Sequence, residues 1–178
     1  MPLLRDDFLT RERLKGSLAT TLSNLDHLEA KDAQAFICWT MQKSKMYADS
    51  LLQKKYPTLP DNIQRGDIVL CSFGINIFPE FSDKETGKHF GVVWAQQGHN
   101  FLIIPITQQA PHQANPYCIP LGPIPFLTAP CNYAKIDAIR SVSLRRVSRI
   151  SGAASGKIVF PFAREKINEA FMKLLIDK

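Results

Sequence analysis

The sequence has no long apolar segment. In its 178 residues, no stretch approaches the roughly 18 to 20 uninterrupted apolar residues that span a bilayer. The first residues, Met1 to Asp7, have no apolar run of signal-peptide length and include acidic side chains. We therefore expect no membrane anchor and no secretion by that route, and we predict a cytoplasmic protein.

Cysteine is scarce, and its spacing does not indicate a metal site. No two cysteines form a Cys-x-x-Cys pair, and none is spaced with a histidine as zinc ligands usually are. The histidines outside the segments discussed below are equally scattered. We predict no metal and no cofactor, and we expect the cysteines to be small buried or half-buried side chains. The residues concerned are Cys38, Cys71, Cys118, Cys131, His27, His99 and His112.

Positive charge is in excess. The formal net charge is +6 and the isoelectric point is about 9.2, which favours an anionic partner. Basic residues are concentrated near the C-terminal end of the chain, where Asp137 is the single acidic residue between positions 135 and 149. This window predicts a local positive surface formed by Lys135, Arg140, Arg145, Arg146 and Arg149.

The first 62 residues are predicted to be a helical segment. Leucines recur there at intervals of three and four residues, which is typical of one face of a helix, and Thr10 is a suitable N-cap. A second helix is predicted over residues 32–55, which contain no proline or glycine. Two functions remain open for the segment, an interaction arm or a helical cap that packs on the following domain. The leucines are Leu14, Leu18, Leu22, Leu25 and Leu28.

Residues 63–178 are predicted to be a separate α+β domain. Pro57 and Pro60 end the second helix, and beyond them the apolar pattern changes from helical to strand-like. Short β-branched or aromatic segments then predict strands over residues 67–73, 90–95, 101–106, 117–121 and 135–143. The first three suggest a meander. Residues 162–176 predict a closing helix with an apolar face.

Four short motifs in this domain follow one another in a recognisable order. They are Arg65-Gly-Asp-Ile-Val, Gly87-Lys-His-Phe-Gly-Val-Val-Trp, Ile104-Pro-Ile-Thr-Gln and Ala138-Ile-Arg-Ser-Val-Ser-Leu-Arg-Arg-Val. They are similar to the opening Arg-Gly-Asp, the Gly-x-Arg-Pro-x-Val-Val, the Pro-x-Thr/Ser and the later Ile-Arg-Thr segments of the PemK/MazF toxins. Over about two thirds of its length, the chain therefore resembles this family of bacterial toxin–antitoxin systems.

The resemblance implies a fold and an activity. It implies an SH3-like small β-barrel, here with an N-terminal helical segment and a C-terminal helix, that forms a homodimer. Active members are endoribonucleases that cut single-stranded RNA at short sequences without metal. The ribose 2′-hydroxyl attacks the adjacent phosphate, leaving a cyclic phosphate and a free 5′-hydroxyl. A cognate antitoxin protein is implied as a partner.

The resemblance also implies catalytic residues. The family uses an arginine and a threonine or serine, commonly with a glutamate from the first long loop. Thr107 matches the hydroxyl residue, whereas His89 stands where the arginine is expected. Histidine can donate or accept a proton near neutral pH, so His89 is a candidate general acid or base. Glu80 and Glu85 are both candidate bases, and the choice between them stays open.

Other residues are candidates for binding RNA. Lys88 and Arg140 would suit backbone phosphates, and Phe78 and Phe81 could stack on unpaired bases. Arg145 and Arg146 either extend the same groove or form a solvated face. Because histidine does not reproduce the fixed donor fork of arginine, a second interpretation remains. In it the barrel is catalytically inactive and binds nucleic acid or protein.

Overall fold

The computed structural model describes residues 3–52, 63–74, 88–124, 126–150 and 161–176. Within them the chain forms three α-helices, α1 (Phe8–Leu25), α2 (Ala30–Leu52) and α3 (Pro161–Ile176). The seven β-strands are β1 (Ile68–Cys71), β2 (His89–Gln97), β3 (Asn100–Thr107), β4 (Cys118–Gly122), β5 (Asn132–Lys135), β6 (Arg140–Ser143) and β7 (Val147–Ser148). The predicted α+β class, with helices at both ends of the chain, is confirmed at this level.

The chain divides into two compact units, Met1–Gln42 and Lys43–Lys178, and the division falls within α2. The predicted boundary at residue 62 lies at the end of a segment, residues 53–62, that is outside the described residues. It therefore stays a prediction. None of the described helices combines the length and the hydropathy that a bilayer span requires.

Helix α1 begins earlier than the sequence predicted. Asp7, and not Thr10, is its N-cap, because the Asp7 carboxylate accepts hydrogen bonds from the backbone N and the hydroxyl of Thr10, at 3.0 and 2.8 Å. An aspartate cap satisfies a backbone N–H that the first turn otherwise leaves without a partner. These hydrogen bonds lower the pKa of Asp7 from its usual range. Thr10 thus lies in the first turn of the helix and donates the two hydrogen bonds that Asp7 accepts.

The two N-terminal helices have exposed apolar side chains. The described residues of α1 and α2 include none that is buried, and the α1 leucines Leu14, Leu18 and Leu22 are 43%, 61% and 55% exposed. Cys38 in α2 is also exposed, so the prediction of a buried or half-buried side chain is wrong there. Helix α2 has no buried residue among those described, so Cys38 has no apolar core to pack into. Cys71 and Cys118 are buried as expected.

The strands form one antiparallel sheet in the order β4-β5-β3-β2-β1-β7, and β6 also pairs with β3. One edge of β3 therefore serves two partners, since Phe101 is opposite Val142 of β6 and Thr107 is opposite Tyr133 of β5. β1, β2 and β3 form the predicted meander. Within the described part of the chain the sheet is not closed.

One predicted strand is interrupted. Residues 135–143 were expected to form a single strand, but a 3₁₀ turn at Ile136–Ala138 separates β5 from β6. Ile136 and Ile139 both pack into the core beside α3. Residues three positions apart share a face in a helical turn, whereas strand alternation would place them on opposite faces. The single-strand prediction is therefore wrong, because burial of both isoleucines favours the turn.

Apolar side chains are buried on both faces of the sheet. Val92 and Ile104 belong to a core that also contains Ile167 of α3. The next residue in β2, Val93, lies on the other face in a second core with Phe101. This alternation is the ordinary consequence of strand geometry.

Candidate functional site

His89 and Thr107 lie at neighbouring strand ends. The register of β2 with β3 places Gly91 opposite Pro105, and the same register carried two residues further brings His89 across from Thr107. Directly opposite residues of an antiparallel pair have side chains on the same face. Both side chains are half-buried. The two predicted catalytic residues are therefore close together and partly open to solvent.

The row of residues that contains Thr107 continues across the sheet into β5 and β4. Tyr133 pairs with Thr107 on one side and with Pro120 on the other. Lys135, two residues after Tyr133, pairs with Cys118 and so shares the same face. This face thus has a threonine hydroxyl, a tyrosine and an ammonium group within two neighbouring rows.

A groove of about 550 Å³ opens beside this row. Its lining extends from the end of β3, through the following loop, to β4 and β5, and among the described residues it includes no carboxylate. It contains two basic side chains, from His112 and Lys135. We call it the Thr107 groove; its lining is Thr107, Gln109, Ala110, Pro111, His112, Gln113, Ala114, Asn115, Pro116, Tyr117, Cys118 and Lys135. Its charge suits an anionic ligand.

The Thr107 hydroxyl is oriented by the turn that follows β3. Its oxygen accepts a hydrogen bond from the backbone N of Gln109 at 3.1 Å. A hydroxyl that accepts through its oxygen still has its own hydrogen to donate. The turn therefore holds the Thr107 oxygen in place and leaves the O–H available to a ligand in the groove.

The His89 ring is held against β3. Its Nε2 lies within hydrogen-bonding distance of the backbone oxygen of Ile106, the residue before Thr107. Because a carbonyl oxygen can only accept, this contact requires the proton to be on Nε2. Proton exchange with a ligand would then use Nδ1. The contact also fixes the ring next to Thr107, although the two residues are 18 positions apart in sequence.

Electrostatic effects on this face come from burial and from Lys135. Burial raises the pKa of the Cys118 thiol, and the charge of Lys135 opposes that shift. A hydrogen bond with the Cys131 side chain raises the pKa of Tyr133, so the phenol stays protonated near neutral pH. Tyr133 therefore offers a neutral aromatic ring. Within the described residues, no group of three side chains could hold a metal ion.

Lys88 and Arg140, the predicted phosphate contacts, lie in different places. Lys88 is next to His89, and its Nζ donates to the hydroxyl of Ser148 in β7 at 3.0 Å. Arg140 is opposite Ile103, four residues before Thr107, which is about 13 Å along the strand. The Lys88 ammonium group therefore lies at β7, which β1 separates from β2, and Arg140 is also separated from the candidate catalytic pair.

Arg146 has a structural contact. Its Nε donates to the backbone oxygen of Ser72 at 2.6 Å, and its Nη2 donates to the backbone oxygen of Phe73. These two carbonyls belong to buried residues that directly follow β1. The guanidinium thus completes the hydrogen bonding of a buried segment. Arg145, its half-buried neighbour, donates its backbone N to the hydroxyl of Ser143 at 3.3 Å.

We expect Arg146→Ala to lower the free energy of unfolding by about 1.5–3 kcal/mol, because it removes charged hydrogen bonds to two buried carbonyls. Urea denaturation would measure the change. The matched control is Arg149→Ala, an exposed arginine nearby, for which we expect a change within about 0.5 kcal/mol. An Arg146→Ala protein that is as stable as the wild type but binds RNA less tightly would contradict the structural role.

Four of the predicted site residues, Glu80, Glu85, Phe78 and Phe81, lie outside the described residues, and their roles stay predictions. Conversely, the sequence did not single out Tyr133, His112 or Asn115 as site residues. Lys135 was noted only as part of the basic window. In the structure, Asn132 and Ala134 are buried while Tyr133 and Lys135 are half-buried, a pattern that the residue types alone do not reveal.

The site therefore consists of His89 and Thr107 at adjoining strand ends, with Tyr133 and Lys135 on the same face. The groove beside them is basic. The groove is lined by residues of three strands, β3, β4 and β5, and of one loop, so no short segment of sequence contains the whole site. In comparisons of the chain with protein-family models and with curated proteins, nothing matches.

Proposed function

We propose that the chain is a metal-independent endoribonuclease of the PemK/MazF type, a cytoplasmic toxin that cleaves single-stranded RNA at selected sequences. One observation carries this proposal. His89 lies across from Thr107, and Thr107 lines a groove that contains Lys135 and His112 and whose described lining includes no carboxylate. A hydroxyl donor and a proton-transferring ring next to a site for anions are the groups that metal-free phosphodiester cleavage needs.

The strand order supports an SH3-like barrel as the finer description of the fold. Five strands in the order β7-β1-β2-β3-β6 contribute side chains to the core that contains Val93 and Phe101. The last two, β6 and β7, are joined by a 3₁₀ turn, Leu144–Arg146, whose Leu144 enters the same core. Small barrels bring their first and last strands together around one core in this way.

The proposed reaction transfers the phosphoryl group within the RNA. The ribose 2′-oxygen forms a bond to phosphorus as its proton passes to a base, and the bond from phosphorus to the 5′-oxygen breaks. The departing 5′-oxygen takes up a proton, so that a 2′,3′-cyclic phosphate and a 5′-hydroxyl result. His89 would perform one of the two proton transfers through Nδ1. Glu80 or Glu85 would perform the other.

The remaining groups would stabilise and position the substrate. The Thr107 hydroxyl would donate to a non-bridging phosphate oxygen, where negative charge grows in the transition state. Lys135 would attract the backbone through its charge, and Tyr133 could stack on an unpaired base. Lys88 and Arg140, which lie farther from the pair, would contact phosphates beyond the one that is cleaved. We propose a homodimer and an antitoxin protein as partners on the resemblance alone.

The second candidate is a catalytically inactive barrel that binds single-stranded nucleic acid or protein. It is favoured by the contacts that His89 and Thr107 already make, with the backbone oxygen of Ile106 and the backbone N of Gln109. Both contacts suffice to explain the residues as structural. The basic groove and Tyr133 would then serve binding only.

The nuclease proposal predicts that the purified full chain cuts a long unstructured RNA in the presence of a chelator. The fragments should carry 2′,3′-cyclic phosphate and 5′-hydroxyl ends, because no water or metal takes part in the first step. Mapping both fragment ends by sequencing would give the cut sites and the end chemistry. Recurrent short sequences at the cuts are expected.

A Thr107→Val protein, purified in the same way, controls for contaminating nucleases. Valine keeps the branched shape and removes the hydroxyl, so cleavage that persists at the wild-type rate would point to a contaminant or to a site without Thr107. Intact RNA together with salt-sensitive binding would reject the nuclease and favour the inactive barrel. Fragments with 3′-hydroxyl ends would also reject the proposed chemistry.

A further inference from the structure

A second basic pocket lies on the other face of the sheet. It has a volume of about 150 Å³ and is lined by Arg65, Gly66, Val92, Trp94 and Arg164, and we call it the arginine pocket. Val92 belongs to the α3-side core, so this pocket is on the face opposite to Gly91 and His89. It is therefore distinct from the Thr107 groove.

Arg65 is held in a defined orientation at the wall of this pocket. Its Cζ lies 4.0 Å from the centre of the Trp94 ring, and its Nη2 donates to Oδ1 of Asn168 at 3.2 Å. Trp94 is in turn stacked on Phe171, with ring centres 5.8 Å apart and an angle of 29°. When a guanidinium stacks flat on an aromatic ring, its N–H groups point outward in its own plane and can still donate hydrogen bonds. Arg65 is thus positioned before any ligand arrives.

Arg164 supplies a second guanidinium from α3. It lies four residues before Asn168, which places both on the same face of the helix. Arg164 is also near the beginning of α3, whose first turn contains no acidic residue. The positive end of the helix dipole disfavours a cation there and favours an anion. A bound anion would therefore offset the repulsion between the Arg164 charge and the positive end of the α3 dipole.

Neither arginine is neutralised within the described chain. The salt bridges there join other residues, all of them in the N-terminal unit. The nearest acidic residues in sequence are Asp67 and Glu165. Asp67 instead accepts a hydrogen bond from the backbone N of Gln64 at 2.8 Å. The pocket thus contains two positive charges whose only described hydrogen-bond partner is a neutral amide.

We propose that the arginine pocket binds a phosphate group. One arginine fork satisfies a carboxylate, whereas a phosphate has enough oxygens to accept hydrogen bonds from two guanidinium groups. The volume exceeds what a single water needs and accommodates a group of several atoms. The phosphate can be free or carried by a nucleotide chain. This binding does not depend on the proposed RNA cleavage.

The test uses Trp94 fluorescence in the full chain. The sequence has two tryptophans, so Trp39→Phe leaves Trp94 as the only emitter. We expect inorganic phosphate, titrated at constant ionic strength against sodium chloride, to change Trp94 emission in a saturable way. Arg164→Gln in the same background should weaken binding at least about tenfold, since it removes a charged hydrogen-bond donor. Arg11→Gln, an exposed arginine of α1, is the charge-matched control and should bind as before.

The outcomes separate the two sources of phosphate. Tighter binding of adenosine monophosphate or a short single-stranded oligonucleotide than of inorganic phosphate supports the pocket as a nucleotide site, and equal binding supports it as a free-phosphate site. A response that does not saturate, or equal affinity in the Arg164→Gln and Arg11→Gln proteins, overturns the proposal. Thermal denaturation checks that Arg164→Gln is folded, and Arg65→Lys, which keeps the charge but loses the fork, should weaken binding as well.

Discussion

His89→Gln is expected to slow RNA cleavage by about 10²- to 10⁴-fold, the usual contribution of a positioned general acid or base. Glutamine can still donate a hydrogen bond to the backbone oxygen of Ile106, so the strand end should keep its structure. It cannot exchange a proton near neutral pH. Single-turnover cleavage of a labelled RNA would measure the rate. Unchanged RNA affinity, measured at the same salt concentration, would show that the loss is in the chemical step.

His27→Gln is the matched control for this prediction. His27 is exposed in the turn between α1 and α2, and the same change there should leave the cleavage rate unaltered. The dependence of the rate on pH gives a second measurement, because loss of His89 should remove one ionisation from the profile. If His89→Gln cleaves RNA at the wild-type rate, His89 has only the structural role that its contact with Ile106 supplies.

Gly91→Ala is expected to lower the free energy of unfolding by about 1–3 kcal/mol. A Cβ at Gly91 would collide with Cγ2 of Ile103 and would come within 3.2 Å of the Ile104 backbone oxygen and 3.4 Å of Cζ of Phe73. Ile103 is fully buried and cannot move away without displacing its neighbours. Urea denaturation would measure the loss. Because Gly91 is two residues from His89, cleavage should fall as well.

Gly16→Ala provides the comparison within the same chain. Gly16 is in α1, and a Cβ there would meet nothing within 4 Å. Alanine is favoured over glycine inside a helix, so we expect stability to be unchanged or raised by up to about 1 kcal/mol. Equal stability changes for the two substitutions would contradict the close approach of β2 and β3 at Gly91.

Local patterns were sufficient for most of the secondary structure. The apolar segments predicted as strands at 67–73, 90–95, 101–106 and 117–121 contain or overlap β1, β2, β3 and β4. The closing helix predicted over 162–176 differs from α3 by one residue. Proline, glycine and apolar spacing determine such elements through neighbours in sequence. Two predictions were wrong, the cap of α1 and the strand that the turn after β5 interrupts. Both features depend on which side chains contact each other, and the spacing of residues in the sequence does not show this.

The site was less predictable because its members act through contacts between distant segments. Arg146 was a candidate RNA contact, but its guanidinium binds carbonyls more than 70 residues away. Nothing in a basic window distinguishes an arginine that faces solvent from one that completes a buried loop. Tyr133 was missed, and Lys135 was noted only for its charge, for the related reason that strand pairing brings them beside Thr107.

The sequence by itself determined the α+β class and the positive charge. It also placed His89 and Thr107 in two consecutive motifs. Only the tertiary structure decided that β2 and β3 pair in the register that sets these two residues side by side. It also decided that Arg65 and Arg164 face one pocket on the opposite side of the sheet. Composition and periodicity act along the chain, whereas register and helix placement are set by which buried side chains fit together across it.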